Sequence, residues 1–259
     1  MLNLLTAEKI KLFRSRKLLI VLAVLSFLPI FQVLNSKMLV HYGEELVQAI
    51  DTVINGATGI LMMEKNGLTI LLVISAFVSF FIGEEFQNGT IRNALSLGRS
   101  RTHYYLSKLM IAAILTLVGA FVMTAIGMIG FSVGFGFGDV AGISNYLWYT
   151  IKTFSTLYFL ILSNVSIYVM ISFLTKNSGI SLIWSFLYTI GTGFGAGIFQ
   201  QTEHFKRVTY WFTESFLFYS DFANPADIAK FREMILVSLI TIVISSTIGI
   251  LFFKRTDIK

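Results

Sequence analysis

The chain has 259 residues, 55% of them hydrophobic and only 13% charged, with a mean hydropathy of +0.76. A water-soluble domain of this composition would expose large apolar patches, so the sequence reads as an all-α integral membrane protein. The absence of cysteine excludes disulfides and thiolate metal sites, and the net charge of +6 is sorted along the chain by membrane side rather than gathered into a nucleic-acid surface.

Met1 to Lys17 is basic, and Leu2, Leu5, Leu12 and Phe13 share a helical face that Lys9 and Arg16 interrupt. An amphipathic interface helix on an anionic leaflet is expected; a basic tail that only sets topology is the alternative. Apolar runs able to cross the hydrocarbon, which takes about 17 to 25 helical residues, occur near Leu18 to Leu34, Gly67 to Gly83, Leu109 to Phe131, Ile151 to Leu174, Gly179 to Phe199 and Glu233 to Phe253. The first is longer than a signal core of about 7 to 15 residues and is followed by no small-residue cleavage site, so it is expected to be retained. With Pro29 and Pro225 as the only prolines, the spans read as mostly continuous helices within a single transmembrane domain.

Two connections are more than linkers. In Ser36 to Asn66, the spacing of Leu46, Ile50, Val53 and Ile54 predicts a short helix. Gln200 to Arg232 carries Phe205, Tyr210, Trp211, Phe212, Phe216, Phe218, Tyr219 and Phe222. Aromatic rings favour the headgroup level, so this segment is expected to lie along the outer interface or to dip into it as a re-entrant element. Glu214, Asp221 and Pro225 interrupt it too often for a seventh span.

Thirteen Lys and Arg residues fall on one side of this topology and seven on the other; with the acidic residues included, the sides carry +9 and −3. The basic side belongs in the cytoplasm, which places both termini there. Phe80 to Lys108, FFIGEEFQNGTIRNALSLGRSRTHYYLSK, is the long polar and basic segment on that side. Glu84 and Glu85 close the second span and Asn88-Gly89 breaks it. Thr90 to Leu97 can form only a short helix, with Ile91, Ala94 and Leu95 on one face. Gly98 ends that helix and Ser100 is placed to cap the next.

Catalytic and ion-coupling chemistry has no candidates. His41, His103 and His204 fall in separate loops, no HExxH or GxSxG occurs, and the spans hold ionisable groups only near predicted ends, at Lys152 and Glu233. The run Gly191-Thr192-Gly193-Phe194-Gly195-Ala196-Gly197 lacks the lysine of a phosphate loop. Its Gly191/Gly195 and Gly193/Gly197 pairs suit close helix packing, including a dimer contact, or a flexible kink, and Gly130/Gly134 is another such pair.

The order of these elements, with Glu85 to Lys108 reading ExxNGTIRNxLSxGxSRxxYYxSK, resembles the membrane subunit of type 2 ATP-binding cassette exporters. The small bacterial permeases for bacteriocin immunity, antibiotic resistance and amphipathic-peptide export are the nearest in size. The resemblance implies a plasma-membrane permease whose short helix between spans two and three is a coupling helix docked on cytoplasmic ATPase subunits, two of them expected. Asn88, Gly89, Thr90, Ile91, Arg92, Leu95, Ser100 and Arg101 become contact candidates, anchored by Glu84 or Glu85. It further implies a second permease, identical or homologous, facing the first, second and fifth spans across a cavity lined by Thr69, Ser75, Ser79, Ser181, Ser185, Thr189 and Thr192. No cofactor is expected on this chain; ATP and magnesium would bind the partner ATPase. The uncharged pathway suits an amphipathic or hydrophobic cargo such as a peptide, an antibiotic or a lipid-like molecule. A secondary transporter or channel, and a non-transporting accessory subunit, are the alternatives.

Overall fold

Residues 2–42, 54–64, 67–96, 98–140, 142–143, 145–202, 206–220 and 230–256 are described by the computed structural model, and every regular element among them is a helix. Six of these helices are long and apolar enough to span a membrane: α2 (Arg16–Tyr42), α4 (Gly67–Gln87), α6 (Arg101–Phe135), α7 (Tyr146–Thr175), α8 (Ser178–Gln200) and α11 (Phe231–Arg255). The shorter ones are α1 (Leu2–Phe13), α3 (Gly56–Glu64), α5 (Thr90–Ser96), α9 (Lys206–Thr209) and α10 (Thr213–Tyr219). All six expected spans are present. The helix expected from Leu46 to Ile54 lies largely outside the described residues, whereas α3 forms further along the same connection.

The spans extend beyond their apolar runs. α6 has 35 residues, about 52 Å at 1.5 Å per residue, against a hydrocarbon core of about 30 Å. It starts eight residues before the expected Leu109 because Gly98, at φ +75°, reverses the chain just ahead of it. Ser100 occupies the N-cap position, but its side chain makes no capping hydrogen bond, contrary to the sequence expectation. α2 runs through Pro29 without a break.

Burial separates centre from periphery. The most apolar windows of α4 and α7 are 61% and 67% buried, against 28%, 22% and 22% for α2, α8 and α11. Along α7, Leu157, Ile161, Val165, Tyr168 and Val169 repeat at three- and four-residue steps and face the core. The peripheral spans therefore leave wide apolar faces for lipid or another chain.

Glycine sets how closely the layers approach. α7 ends at Lys176 in the left-handed conformation, and Asn177 caps α8 by accepting from the Ile180 N–H at 3.1 Å. This tight reversal drives the start of α8 against Gly83 of α4, where an added Cβ would stand 2.5 Å from the Ser178 backbone. Gly130 and Gly134, which the sequence offered as a helix-packing pair, admit Val33 and Lys37 of α2 and so pack spans of the same chain.

Gly83→Val should lower stability by about 1 to 3 kcal/mol or more, because backbone cannot move aside as a side chain can. Gly191→Val, at a glycine with nothing within 4 Å, should stay near wild type. Thermal unfolding of the purified proteins in detergent checks the pair, and equal losses would remove Gly83 as a packing constraint.

Candidate functional site

The short helix expected after the second span forms as α5. Gly89, at φ +66°, reverses the chain after α4, and the Thr90 hydroxyl donates to the Glu85 carbonyl at 3.2 Å. Ile91, Ala94 and Leu95 share a face as their spacing requires, and that face points into the bundle. Ile91 is fully buried, while Ala94 and Leu95 pack at the core's edge. Ile91 is therefore unavailable as an external contact, contrary to the expectation that it meets a partner. Burying such an aliphatic side chain is worth about 1.5 to 3 kcal/mol, and here it fixes α5 to its own chain. Asn88, Thr90, Arg92, Asn93 and Ser96 form the exposed, polar side.

Beneath α5 the ends of four spans meet through rings. Phe173 of α7 lies 4.6 Å from Tyr105 and 4.8 Å from Phe253, and Phe86 packs edge-on to Phe173 at 5.6 Å. Gly249 of α11 allows this, since a Cβ there would stand 2.5 Å from the Tyr105 hydroxyl. Arg101, a predicted partner contact, is instead engaged with this chain. One of its Nη atoms donates to the Phe253, Lys254 and Thr256 carbonyls at 2.8, 2.9 and 2.6 Å, satisfying the end of α11.

Beside the rings lies a buried charge network. Lys108 has no exposed side-chain surface, and its Nζ donates to Glu8 at 2.5 Å and to Glu85 at 2.6 and 2.7 Å. Glu85 also accepts from Lys11 and from the Tyr104 hydroxyl. The Lys108 ammonium sits 4.3 Å from the centre of the Phe81 ring, which adds a cation–π contact. Two carboxylates against two ammonium groups leave the cluster neutral, the condition under which buried charge is tolerable. At the edge, Lys17 pairs with a half-exposed Glu84. Of the two acidic anchors expected, Glu85 is thus the buried one.

Sequence reasoning missed Glu8, Lys11 and Lys108. Lys108 and the tyrosines fit the positive-inside rule and an interfacial role equally well, yet Tyr104, Tyr105 and Lys108 are all buried. The available signal was Glu8, the single acidic residue in the basic N-terminal stretch, in helical register with Leu5 and Leu12. Those residues form the inward face of α1, whereas Phe13, expected on it, is 68% exposed.

The hydroxyls expected to line a pathway take another place in this conformation. Ser75, Ser79, Ser181, Ser185 and Thr189 have no exposed surface, and Thr69 and Thr192 are half-buried. Ser181 donates to Ser79 at 3.1 Å and bonds Ser172 at 2.6 Å, Tyr168 bonds Thr189 at 2.5 Å, and Ser178 donates to Gln87 at 2.9 Å. Ser75 and Thr192 bond carbonyls of their own helices. Ser79, Ser181 and Thr189 thus join polar seams between α4, α7 and α8 rather than the wall of an open cavity, and the buried Ser185 hydroxyl has no partner.

At the opposite end, α10 packs alongside α8. Gly193 receives the Phe218 ring, whose atoms an added Cβ would meet at 2.7 Å, and Gly197 receives the Tyr219 hydroxyl, which also donates to the Gly193 carbonyl at 3.1 Å. Gly193 stands two turns inside the end of α8, about 10 Å along its axis, so α10 enters the depth of the bundle. Gly191 and Gly195 have nothing within 4 Å and remain open to another chain. Among the described residues no three His, Asp or Glu side chains converge to hold a metal ion.

Lys108→Met should cost about 3 to 5 kcal/mol, because it strands buried carboxylates. Lys17→Met, at the half-exposed pair, should cost about 1 kcal/mol or less. Adding Glu8→Gln to Lys108→Met should recover part of the loss. Denaturant unfolding in detergent reads all three, and equal effects of the two lysines would dismiss the buried network.

A protein-family profile described as ABC-2 family transporter protein matches residues 4–192, which include most of α1, all of α5, the charge network and the hydroxyl seams. None of the curated proteins compared with the chain matches it at a significant level. The matched region covers well over half of the sequence and contains the segment whose motif and geometry set this protein apart from a generic helical bundle: the chain belongs to the ABC-2 family of transporter proteins.

Proposed function

We propose that the chain is the permease subunit of an ATP-driven exporter, with α5 as the element that receives force from a separate cytoplasmic ATPase. The observation that carries this reading is the construction of α5. A seven-residue helix is pinned by a buried isoleucine, braced by the Glu85 network and by the rings joining α4, α6, α7 and α11, and left with a polar outer face. A connector that only joins two spans needs none of this. Force applied at Arg92 or Asn93 would reach four spans through rigid contacts.

ATP and magnesium belong to the ATPase, since this chain has no phosphate-binding lysine motif. Two ATPase copies and a second permease, identical or homologous, would complete the assembly in a bacterial plasma membrane, with the α5 end and both termini in the cytoplasm. An apolar groove of about 610 Å³ between α2, α4 and α8, lined by Val24, Leu72, Ala76, Phe77 and Phe186, has Lys17 and Glu84 at one end. It lies on the three spans expected to face the second permease. Its apolar wall and charged end suit an amphipathic cargo better than the buried hydroxyls do, and this is where we place the substrate.

The exposed face of α5 gives the test. Arg92→Glu with Asn93→Ala should leave the melting temperature unchanged and reduce co-purification of the ATPase at least tenfold. Ile91→Ser should lower stability by about 2 to 5 kcal/mol and weaken association as a consequence. Undiminished ATPase recovery with the surface pair would make α5 a plain connector.

A single cysteine at Ser96, in this cysteine-free chain, should react with an impermeant maleimide only in inverted vesicles. One at Thr202 should react only in intact cells. The reverse pattern would overturn the orientation.

A further inference from the structure

Glu214, in α10, has no exposed surface, and one of its carboxyl oxygens, Oε1, has no hydrogen-bond partner. Asn164 of α7 is equally buried. Its amide nitrogen donates to the Leu160 carbonyl at 3.0 Å and to the Thr213 hydroxyl at 2.9 Å, and its Oδ1 is also unpartnered. The Thr213 hydroxyl in turn donates to Glu214 Oε2 at 3.4 Å. Two acceptor oxygens without a hydrogen-bond partner thus lie on side chains joined through a single hydroxyl.

Among the described residues no cation answers the carboxyl. The groups facing it are the hydroxyls of Tyr188 and Thr192 of α8, which with Thr213 hydrogen-bond the carboxyl and favour its charged form without offsetting its burial, and, one step away, Tyr168 of α7. The charged side chains described at this end are occupied or turned outward: Lys152 and Arg232 lie over the Phe231 ring, Lys230 reaches Tyr210, and Asp139, Arg207 and Glu233 are exposed. α4 and α11, which also pack on α10, present no charged partner to it among the described residues. An unpaired carboxylate in such surroundings is costly, and such a group neutralises instead.

We infer that Glu214 is a proton-binding site, a neutral carboxylic acid that keeps α10 seated in the bundle and frees it by releasing its proton to the medium at that end. Protonation removes the charge that burial penalises, so the carboxyl needs no counter-ion. What else holds α10 is apolar or neutral: Phe216 and Leu217 are buried, and Tyr219 bonds a backbone carbonyl. Ionisation of one group can therefore tip the balance between seated and released.

Burial raises the pKa of Glu214 in the seated state, whereas a released α10 would return it to water and to the ordinary value of 4.5. Below that value both states are protonated and seating is at its strongest. As pH rises above it, the released state alone gains by losing the proton. Seating then weakens by up to about tenfold per pH unit until the seated group itself ionises. With the orientation proposed above, the proton comes from outside the cell and α10 acts as an external gate, closed in acid. The proton site itself does not depend on that reading.

Two measurements on the purified full chain in lipid nanodiscs test it, neither of which requires an ATPase. In infrared spectra at pH 7, where exposed carboxylates are ionised, the wild type should show a protonated-carboxyl carbonyl band that Glu214→Gln removes. Maleimide labelling of Ser215→Cys, divided by that of the exposed Thr202→Cys reference to cancel thiol ionisation, should rise steeply from pH 5 to pH 8. Glu214→Gln should hold that ratio at its acid value. A missing band in the wild type, a band retained in the Gln variant, a flat ratio in the wild type, or the same rise in the Gln variant would each overturn the proposal. If Glu214→Gln does not insert, the wild-type band and the wild-type ratio still decide it. A failure to recruit an ATPase would leave both results standing and count only against the exporter reading.

Discussion

A lysine with no exposed side-chain surface, held between two carboxylates from different helices, is the constraint on which the α5 end of this protein depends. Removing an ammonium group and its partners from water costs several kcal/mol per ion, and Coulomb attraction repays it only with close geometry and a balanced count. Here the count is two against two, and a ring face covers the lysine. The arrangement fixes three chain segments at once: α1 through Glu8 and Lys11, α4 through Glu85, and α6 through Lys108 and Tyr104. α5 hangs between the last two, so its position follows from theirs.

Inside the spans polarity is handled differently. The hydroxyls of Ser, Thr and Tyr bond carbonyls one turn back or one another across helices, which lets α4, α7 and α8 pack closely without placing charge in the hydrocarbon. Gly83, Gly193 and Gly249 serve the same end, each admitting a neighbour that a Cβ would exclude. Close packing of neutral groups carries displacement well, since a dense interior moves as a unit rather than deforming. That property is what a permease driven from one end requires.

The spans were legible because hydrocarbon imposes length and composition on any helix that crosses it, and the limits of α5 because glycine with positive φ stands on both sides of it. The direction of α5 was not. The periodicity of Ile91, Ala94 and Leu95 defines a face and carries no information about whether that face meets the chain itself or a partner. Lys108 and Arg101 were obscured by redundancy, since the positive-inside rule already accounts for basic residues there. Their actual contacts, Glu8 and Phe253, lie about a hundred residues before Lys108 and 152 residues after Arg101. The serines and threonines failed for a related reason: a hydroxyl lining a cavity and a hydroxyl closing a seam look alike until their partners are known. In the glycine run, the four-residue spacing of close packing was visible, but Gly193 and Gly197 serve α10, an element whose aromatics left open whether it lies along the interface or dips into it.

The two ends of the bundle hold their accessory helices by opposite means. At the α5 end two carboxylates and two ammonium groups balance one another, so the fixture there carries its own counter-charges. At the other end a single acid without a counter-ion is neutral only while it is protonated, and α10 has no other ionic tie. One end is thus built to transmit a displacement faithfully, and the other to yield when one proton leaves. In a machine driven from the α5 side, that asymmetry would make the far end the place where opening is decided by the medium rather than by the motor.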